Sequence, residues 1–184
     1  MPNHCETDFH ITGPADLVNT VLEKHFTKEG TLDCTTVIPY PQKYLELDNA
    51  LDQWIKDYCD GNNGWSIRPE FEGQDIPPRP TDGYNAGGYA WCNSNWGTKW
   101  GTYDGNGIVT SVMDEVGEVT ASMTFRSAWK PPTRVFNVLA AMYPQLTFSA
   151  CSYECGMGYK IRGDWEKGEC IRNETHKYYG KRGG

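Results

Sequence analysis

The order of apolar and polar residues at the start of the chain predicts a strand followed by a helix. Residues 8–12 alternate between apolar and polar side chains, as a strand with one covered face does, and the alternation ends at Gly13. The next apolar residues recur at helical spacing: Ala15, Leu17, Val18, Val21, Leu22 and Phe26. Gly30 is typical of a helix end.

The pattern in the middle of the chain predicts a strand, a helix and a long irregular stretch. Residues 32–38 predict a second strand, which Pro39 closes because proline has no N–H to donate to a ladder. Residues 44–58 have apolar side chains at helical spacing, whereas residues 68–88 are rich in proline and glycine. We therefore expect residues 42–95 to be an insertion whose second half is poorly ordered or depends on a partner.

The clearest hairpin signal lies after this insertion. Residues 108–113 and 119–126 have strand patterns on either side of a turn at residues 114–117. In the second of these strands one set of side chains is apolar, which predicts a covered face, and the other set is polar. The apolar set is Val119, Ala121, Met123 and Phe125.

The last third of the chain predicts another helix and two or three strands. Pro131 and Pro132 are suited to the start of a helix. The pattern further on predicts strands at residues 146–153 and 159–165. It indicates either an edge strand or a tail at residues 170–179.

This order of elements predicts one α+β domain over residues 1–184. It matches the split βαβ repeat of a ferredoxin-like sandwich, an antiparallel sheet with two helices on one face. The expected insertion at about residues 42–95 then lies between the second and third strands, and residues 174–184 form a flexible basic tail.

Charge disfavours some classes of partner. The 184 residues contain 24 acidic and 17 basic side chains, a net charge of −7. An acidic protein is not drawn to nucleic acid or to an anionic membrane, and no apolar run of membrane-spanning length is present. The acidic body suits a partner protein with a basic surface, or serves solubility alone.

The seven cysteines are an odd set without a paired Cys-x-x-Cys motif, which fits neither a secreted disulfide framework nor a zinc ribbon. With the polar N-terminus, this indicates a reducing cytoplasm. The sequence predicts no cofactor. It leaves open whether Cys92, Cys151, Cys155 and Cys170 bind a metal ion, and whether the glycine pair at residues 183–184 has a function.

The most specialised segment runs from residue 95 to residue 100, with the tryptophan of residue 129 as a related feature. Tryptophan is costly to expose and lysine is costly to bury, so these residues are neither ordinary core nor ordinary loop. They suit an aromatic pocket for a nucleotide-like molecule or a partner's side chain; alternatively, the indoles plug the insertion onto the open sheet face. The candidate binding residues are Asn95, Trp96, Thr98, Lys99, Trp100, Trp129, Glu154 and Asp82.

Several sequence blocks resemble the YubB-type ferredoxin-like domain of bacteriophage and conjugative-plasmid proteins. They are the Met-Pro-Asn start with Cys5, Ile38-Pro39 with Pro41, the segment 95–100, Ala128-Trp129 with the proline pair 131–132, and Tyr153 with Gly156. The family often has Asp where this chain has Gly101, and aromatic residues near the start where this chain has His4. The resemblance implies an accessory protein of a mobile element that acts on the host or its defences.

The leading hypothesis is a non-enzymatic phage or plasmid protein in the cytoplasm of the host bacterium. It would bind a host macromolecule, with a protein as the favoured class, through its acidic surface and the segment 68–100, which includes Asp82. The alternative is a protein that binds or sequesters a nucleotide-like molecule with its tryptophans and Lys99. A third, weaker hypothesis is a hydrolase that uses Glu154 with a nearby base.

Overall fold

A computed structural model describes residues 3–61, 66–112 and 117–184. In these ranges the helices are α1 (Ala15–His25), α2 (Cys34–Val37), α3 (Gln42–Tyr58), α4 (Tyr89–Asn95) and α5 (Thr133–Met142). The strands are β1 (His4–Pro14), β2 (Ile108–Val112), β3 (Glu118–Ala128), β4 (Thr147–Glu154), β5 (Tyr159–Glu166) and β6 (Glu169–Lys177). The chain is therefore an α+β protein, as the sequence predicts.

The strands form one open antiparallel sheet in the order β2-β3-β1-β4-β5-β6. β1 lies between β3 and β4, with Phe9 opposite Met123 on one side and Ala150 on the other. Side chains alternate between the two faces of a strand, so the odd-numbered residues of β1 are buried and the even-numbered ones are partly exposed. One face of the sheet is covered and the other is open.

Phe9 is at the centre of the covered face. Its ring centroid lies 4.8 Å from that of Phe136 in α5 and 6.1 Å from that of Phe26, which follows α1. The apolar set predicted for β3 is buried on this face, which confirms the predicted alternation. The Trp165 indole also contacts Phe136 and donates a hydrogen bond of 2.7 Å to Asn137 Oδ1. Aromatic rings thus lie at the centre of the core on the covered face of the sheet.

The predicted second strand is wrong. Residues 34–37 form α2, because Asp33 accepts a hydrogen bond of 2.9 Å from the backbone N–H of Thr35 and caps the turn. Leu32 makes only an isolated bridge with Phe26. Apolar β-branched residues fit a strand and a short buried turn equally well, so periodicity alone did not separate the two.

The predicted hairpin is confirmed, since β2 pairs with β3 from Ile108 opposite Met123 to Val112 opposite Val119. Its turn, together with Met113, falls outside the described residues apart from Gly117. Because β2 is the second strand along the chain, residues 42–95 lie between the first and the second strand. The expected position of the insertion between the second and third strands is therefore wrong.

The chain divides into two compact units where the sequence predicts a single domain with an insertion. The first unit contains residues 1–39 and 92–184, and the second contains residues 40–91. In the second unit the Trp54 indole donates a hydrogen bond of 2.8 Å to the carbonyl of Pro77, and the ring of Tyr58 packs on Trp54 and Phe71. Residues 69–71 and 84–88 form short helical turns, and the irregular stretch thus has its own small aromatic core.

The structure describes residues 174–184, where the sequence predicts a flexible tail. Residues 174–177 belong to β6, the edge strand, and Arg182 returns to β1. Within the described part of the chain, none of the helices combines the length and the apolarity that crossing a bilayer requires.

Candidate functional site

Trp96 anchors the segment that follows α4. Its indole is buried, with 5% of the residue exposed, and donates a hydrogen bond of 2.8 Å to the carbonyl of Ile38. Its backbone N–H is bonded to the carbonyl of Cys92. Both N–H groups of Trp96 are therefore used within the first unit, and the indole bond fixes the segment to Ile38, the residue that follows α2.

Thr98 fixes the same segment to the end of β3. Its side chain is buried and donates a hydrogen bond of 2.9 Å to the carbonyl of Ala128. Gly97 between the two anchors has a φ of 86°, a conformation that glycine adopts without a steric penalty. Asn95, at the end of α4, is partly buried.

Lys99 and Trp100 belong to a half-buried cluster that also contains Tyr103 and His4. Lys99 Nζ is 5.0 Å from the Trp100 ring centroid, within the range of a cation–π contact. Trp100 in turn lies 6.4 Å from the ring of Tyr103, whose hydroxyl shares a hydrogen bond of 2.7 Å with His4 Nδ1. Lys99 and Trp100 are thus more accessible than Trp96 and Thr98.

Trp129 is 39% exposed and has a φ of 70°, which is uncommon for a residue with a side chain. Its backbone N–H donates a hydrogen bond of 2.9 Å to the carbonyl of Asn3, and its carbonyl accepts one from the Tyr159 hydroxyl. These two bonds hold the strained backbone, and the indole remains the most exposed part of the sequence-predicted site.

Glu154, at the end of β4, is fully buried. Its Oε1 accepts a hydrogen bond of 3.0 Å from the backbone N–H of Gly156, and its Oε2 accepts one from that of Met157. Arg126, a basic residue of this sheet, faces Glu6 and Asp104 on the open face. Glu154 closes the turn between β4 and β5.

The groups beside Glu154 are held in their neutral forms. Burial raises the pKa of the Cys5 thiol to about 12, and the nearby charge of Glu154 acts in the same direction. Burial likewise raises the pKa of Tyr159. A thiol with this pKa is not a nucleophile near neutral pH, because the reactive species is the thiolate.

Asp82 lies in the second unit, apart from the other sequence-predicted residues along the chain. Its carboxylate accepts hydrogen bonds of 2.6 Å from the backbone N–H of Asn85 and 2.8 Å from Asn85 Nδ2. The backbone N–H of Asn85 is the main reason that the pKa of Asp82 is lowered. Asp82 thus starts the turn at residues 84–88.

The cysteines that the sequence left open as ligands have separate surroundings. Cys92 is buried, whereas the Cys155 thiol donates to the carbonyl of Gly183 and the Cys170 thiol to that of Arg172. Across residues 3–61, 66–112 and 117–184, no three His, Cys, Asp or Glu side chains are placed to hold one metal ion.

A site that sequence reasoning missed lies on the open face of the sheet. Arg182 Nε is 2.6 Å from Glu6 Oε1, and its two terminal nitrogens are 2.7 and 2.6 Å from the carboxylate oxygens of Asp8. The guanidinium also lies 4.2 Å from the ring centroid of Tyr153. We call Glu6, Asp8 and Tyr153 the arginine cradle. The alternation of β1 placed both acids on the open face, but no sequence signal linked them to a residue so far along the chain.

The cradle is electrostatically well matched to its arginine. Burial by itself would raise the pKa of Asp8. Hydrogen bonds from Arg182 and Thr124, together with the charge of Arg182, outweigh burial, and the pKa of Asp8 is lowered. Charge-assisted bonds in a bidentate arrangement are stronger and more specific than neutral hydrogen bonds.

A groove of about 350 Å³ lies beside Trp96 in the first unit. The lining includes Leu32, Cys34, Gly101 and Thr102, and its charged member is Asp33. An anionic nucleotide would meet this carboxylate, and Lys99 does not belong to the lining. The groove suits a neutral or cationic group better than a phosphate.

The acidic excess of the protein is concentrated in the second unit. Residues 40–91 contain nine of the 24 acidic side chains but four of the 17 basic ones, so they account for −5 of the net charge of −7. Seven of these acidic residues are exposed: Glu46, Asp52, Asp57, Asp60, Glu70, Glu72 and Asp75. Leu45 and Tyr89, 43% and 49% exposed, add apolar area to the surface of the unit.

Comparison with known proteins gives one distant likeness. No family model matches the chain, and no curated protein matches it. The fold is similar to the crystal structure of the protein api92 from Yersinia pseudotuberculosis, of the family DUF1281, with a TM-score of 0.49 and 13% sequence identity. The likeness covers 98% of this chain and 99% of that chain.

Proposed function

We propose that this protein is a non-enzymatic accessory protein of a phage or plasmid that binds a basic protein of the host bacterium in the cytoplasm. The observation that carries the proposal is the net charge of −5 in residues 40–91, with seven acidic side chains exposed. A surface of one sign accelerates encounter with a surface of the opposite sign and disfavours partners of like charge. The mobile-element origin, with a role in host takeover or against host defences, rests on the sequence resemblance.

The same resemblance suggests that the first unit is a ferredoxin-like sandwich. The order β2-β3-β1-β4 supports this proposal, because it is the strand order of a split βαβ repeat. The contacts of Phe9 with Phe26 after α1 and with Phe136 in α5 also support it, since both reach the same side of β1. β5 and β6 then extend the repeat at one edge.

The two other hypotheses receive less support. Trp96 and Thr98 have their polar groups engaged inside the first unit, and the groove beside Trp96 contains the carboxylate of Asp33. Lys99, Trp100 and Trp129 are the more accessible of the candidate residues for a nucleotide-like ligand. Glu154 is buried and accepts two backbone N–H bonds, which leaves it poorly placed to receive a proton from a substrate.

The test is affinity purification of the tagged protein from its bacterial host, with nuclease, followed by mass spectrometry and a binding titration with the retained protein. Asp52→Lys with Asp75→Lys reverses two exposed charges in the second unit, while Glu23→Lys with Glu169→Lys makes the same change in net charge in the first. We expect the first pair to weaken binding at least about tenfold and the second pair to change it little. Equal losses from both pairs would reject the second unit as the binding surface. A bound species absorbing near 260 nm, with no retained protein, would favour the ligand hypothesis.

A further inference from the structure

The arginine cradle has the features by which proteins recognise an arginine side chain. Glu6 and Asp8 together accept three N–H groups of one guanidinium at 2.6–2.7 Å, and the ring of Tyr153 covers its face at 4.2 Å. Lysine cannot reproduce this contact, because its ammonium has neither the planar fork nor the flat face. The cradle therefore recognises the planar shape and the N–H groups of a guanidinium in addition to its positive charge.

The residues after the arginine lie in a slot that requires glycine. Gly183 has a φ of 75°, and a Cβ there would lie 2.3 Å from the carbonyl oxygen of Tyr153 and 2.7 Å from that of His4. Gly184 follows with a φ of 102°, and its N–H donates a hydrogen bond of 2.7 Å to the His4 carbonyl. The cradle and slot together therefore fit the sequence Arg-Gly-Gly.

Space for more of a bound chain lies next to the cradle. A groove of about 410 Å³ is lined by Glu6, Asp104, Asn106, Thr124 and Arg126. It shares Glu6 with the cradle, and Thr124 donates a hydrogen bond of 2.9 Å to Asp8. A peptide longer than three residues could thus continue along the open face of the sheet from the bound arginine.

We propose that the arginine cradle is a recognition site for an Arg-Gly-Gly segment of a partner protein, and that residues 182–184 occupy it as an internal competitor. The occupant is connected to β6 through an exposed stretch in which Tyr179 is 89% exposed. A segment tethered this closely has an effective concentration of about millimolar at the cradle. A partner must therefore have a higher affinity than the tail at that concentration, or bind while the tail is displaced. The proposal goes beyond the acidic surface of the second unit, because this site lies in the first unit and depends on geometry more than on net charge.

The test uses the full chain and a fluorescent peptide with the sequence of residues 178–184. Arg182→Ala empties the cradle without changing its walls. We expect the peptide to bind Arg182→Ala at least about tenfold more tightly than the wild type, measured by fluorescence anisotropy. Adding Asp8→Asn to Arg182→Ala should abolish that gain, whereas adding Asp16→Asn, an exposed acid in α1, should leave it intact.

Three further experimental results would each contradict the proposal. A peptide with lysine in place of arginine should bind Arg182→Ala at least about tenfold more weakly, and equal binding would overturn guanidinium recognition. No peptide binding to an Arg182→Ala protein with a native circular-dichroism spectrum would overturn the site itself. A wild-type dimer that becomes monomeric in Arg182→Ala would show that the tail exchanges between copies and would also overturn it. If Arg182→Ala is unfolded, Arg182→Lys keeps the charge, and its peptide affinity should lie above that of the wild type.

The outcome is independent of the proposed acidic surface. Charge reversal at Asp52 and Asp75 should not alter peptide binding to Arg182→Ala, because both residues belong to the second unit. Loss of host-protein binding in that pair with normal peptide binding would support both proposals separately. A peptide affinity that changes with the charge of the second unit would overturn the assignment of the peptide site to the cradle.

Discussion

Glu154 illustrates, at the scale of a single residue, how burial and hydrogen bonding decide the role of a carboxylate. Its two oxygens accept the N–H groups of Gly156 and Met157, and no part of the residue is exposed. Trp96 and Thr98 similarly use their polar atoms to fix backbone segments. These three candidate residues are explained by their structural contacts, whereas Lys99, Trp100 and Trp129 retain accessible surface.

We predict that Glu154→Gln destabilises the protein by about 1–3 kcal/mol. The glutamine can accept one of the two N–H groups, but its own amide N–H group then faces the other and leaves a buried donor unsatisfied. Urea titration of the free energy of unfolding measures the effect. Glu166→Gln, an exposed control at the end of β5, should change it by less than about 0.5 kcal/mol. A change within that range for both variants would show that Glu154 is not the turn-closing residue.

At the scale of elements, the sequence predicted those whose pattern is a regular alternation or a helical stripe. β1, the β2–β3 hairpin and the helices α1 and α3 fall where the periodicity of apolar residues places them, and α5 begins directly after the proline pair that predicts it. It failed at α2, where a cap by Asp33 outweighs the strand pattern of residues 32–38. It also gave no sign of the contacts of Arg182, which join residues that are 174 and 176 positions apart. Such contacts depend on the register of the whole sheet and leave no local pattern.

The tail should be held to the sheet in a pH-dependent way. The pKa of Asp8 is lowered in the folded protein, so its contact with Arg182 contributes stability that is present above the unfolded pKa of about 3.9 and is lost as the pH falls through the lowered value. We predict that Arg182→Ala lowers the free energy of unfolding by about 1–2 kcal/mol near neutral pH, a range reduced because the side chain is partly exposed to solvent. The difference from the wild type should shrink towards the acidic end of a urea titration series from about pH 7 to about pH 2, where the contact with the Tyr153 ring remains.

The matched control for this series is Arg162→Ala. The Arg162 Nε lies 3.6 Å from Asp164 and 55% of the side chain is exposed, so its removal should cost less at every pH. A difference between Arg182→Ala and the wild type that stays constant down to the lowest pH would contradict the role of Asp8.

At the scale of the whole molecule, the two units differ in charge and in core. The first unit buries aromatic rings around Phe9 on the covered face of its sheet, and its net charge is −2. The second has Trp54 and its neighbours Tyr58 and Phe71 as a smaller core and carries a net charge of −5. An acidic unit with a small core is well suited to act as a binding element, because local opening requires less free energy where few apolar groups are buried.

This division predicts that a core substitution lowers protection against hydrogen exchange mainly in its own unit. Trp54→Phe removes the hydrogen bond to the Pro77 carbonyl and part of the buried indole, a loss of about 1–3 kcal/mol. Peptides from residues 40–61 and 66–91 should then exchange faster, with little change in peptides from β1 and β3. Phe136→Leu in α5 is the matched substitution for the first unit and should produce the opposite distribution, measured by hydrogen exchange and mass spectrometry under the same conditions. Equal acceleration across both units in both variants would mean that the chain opens as one cooperative body, and that the second unit has no stability of its own with which to act as a separate binding element.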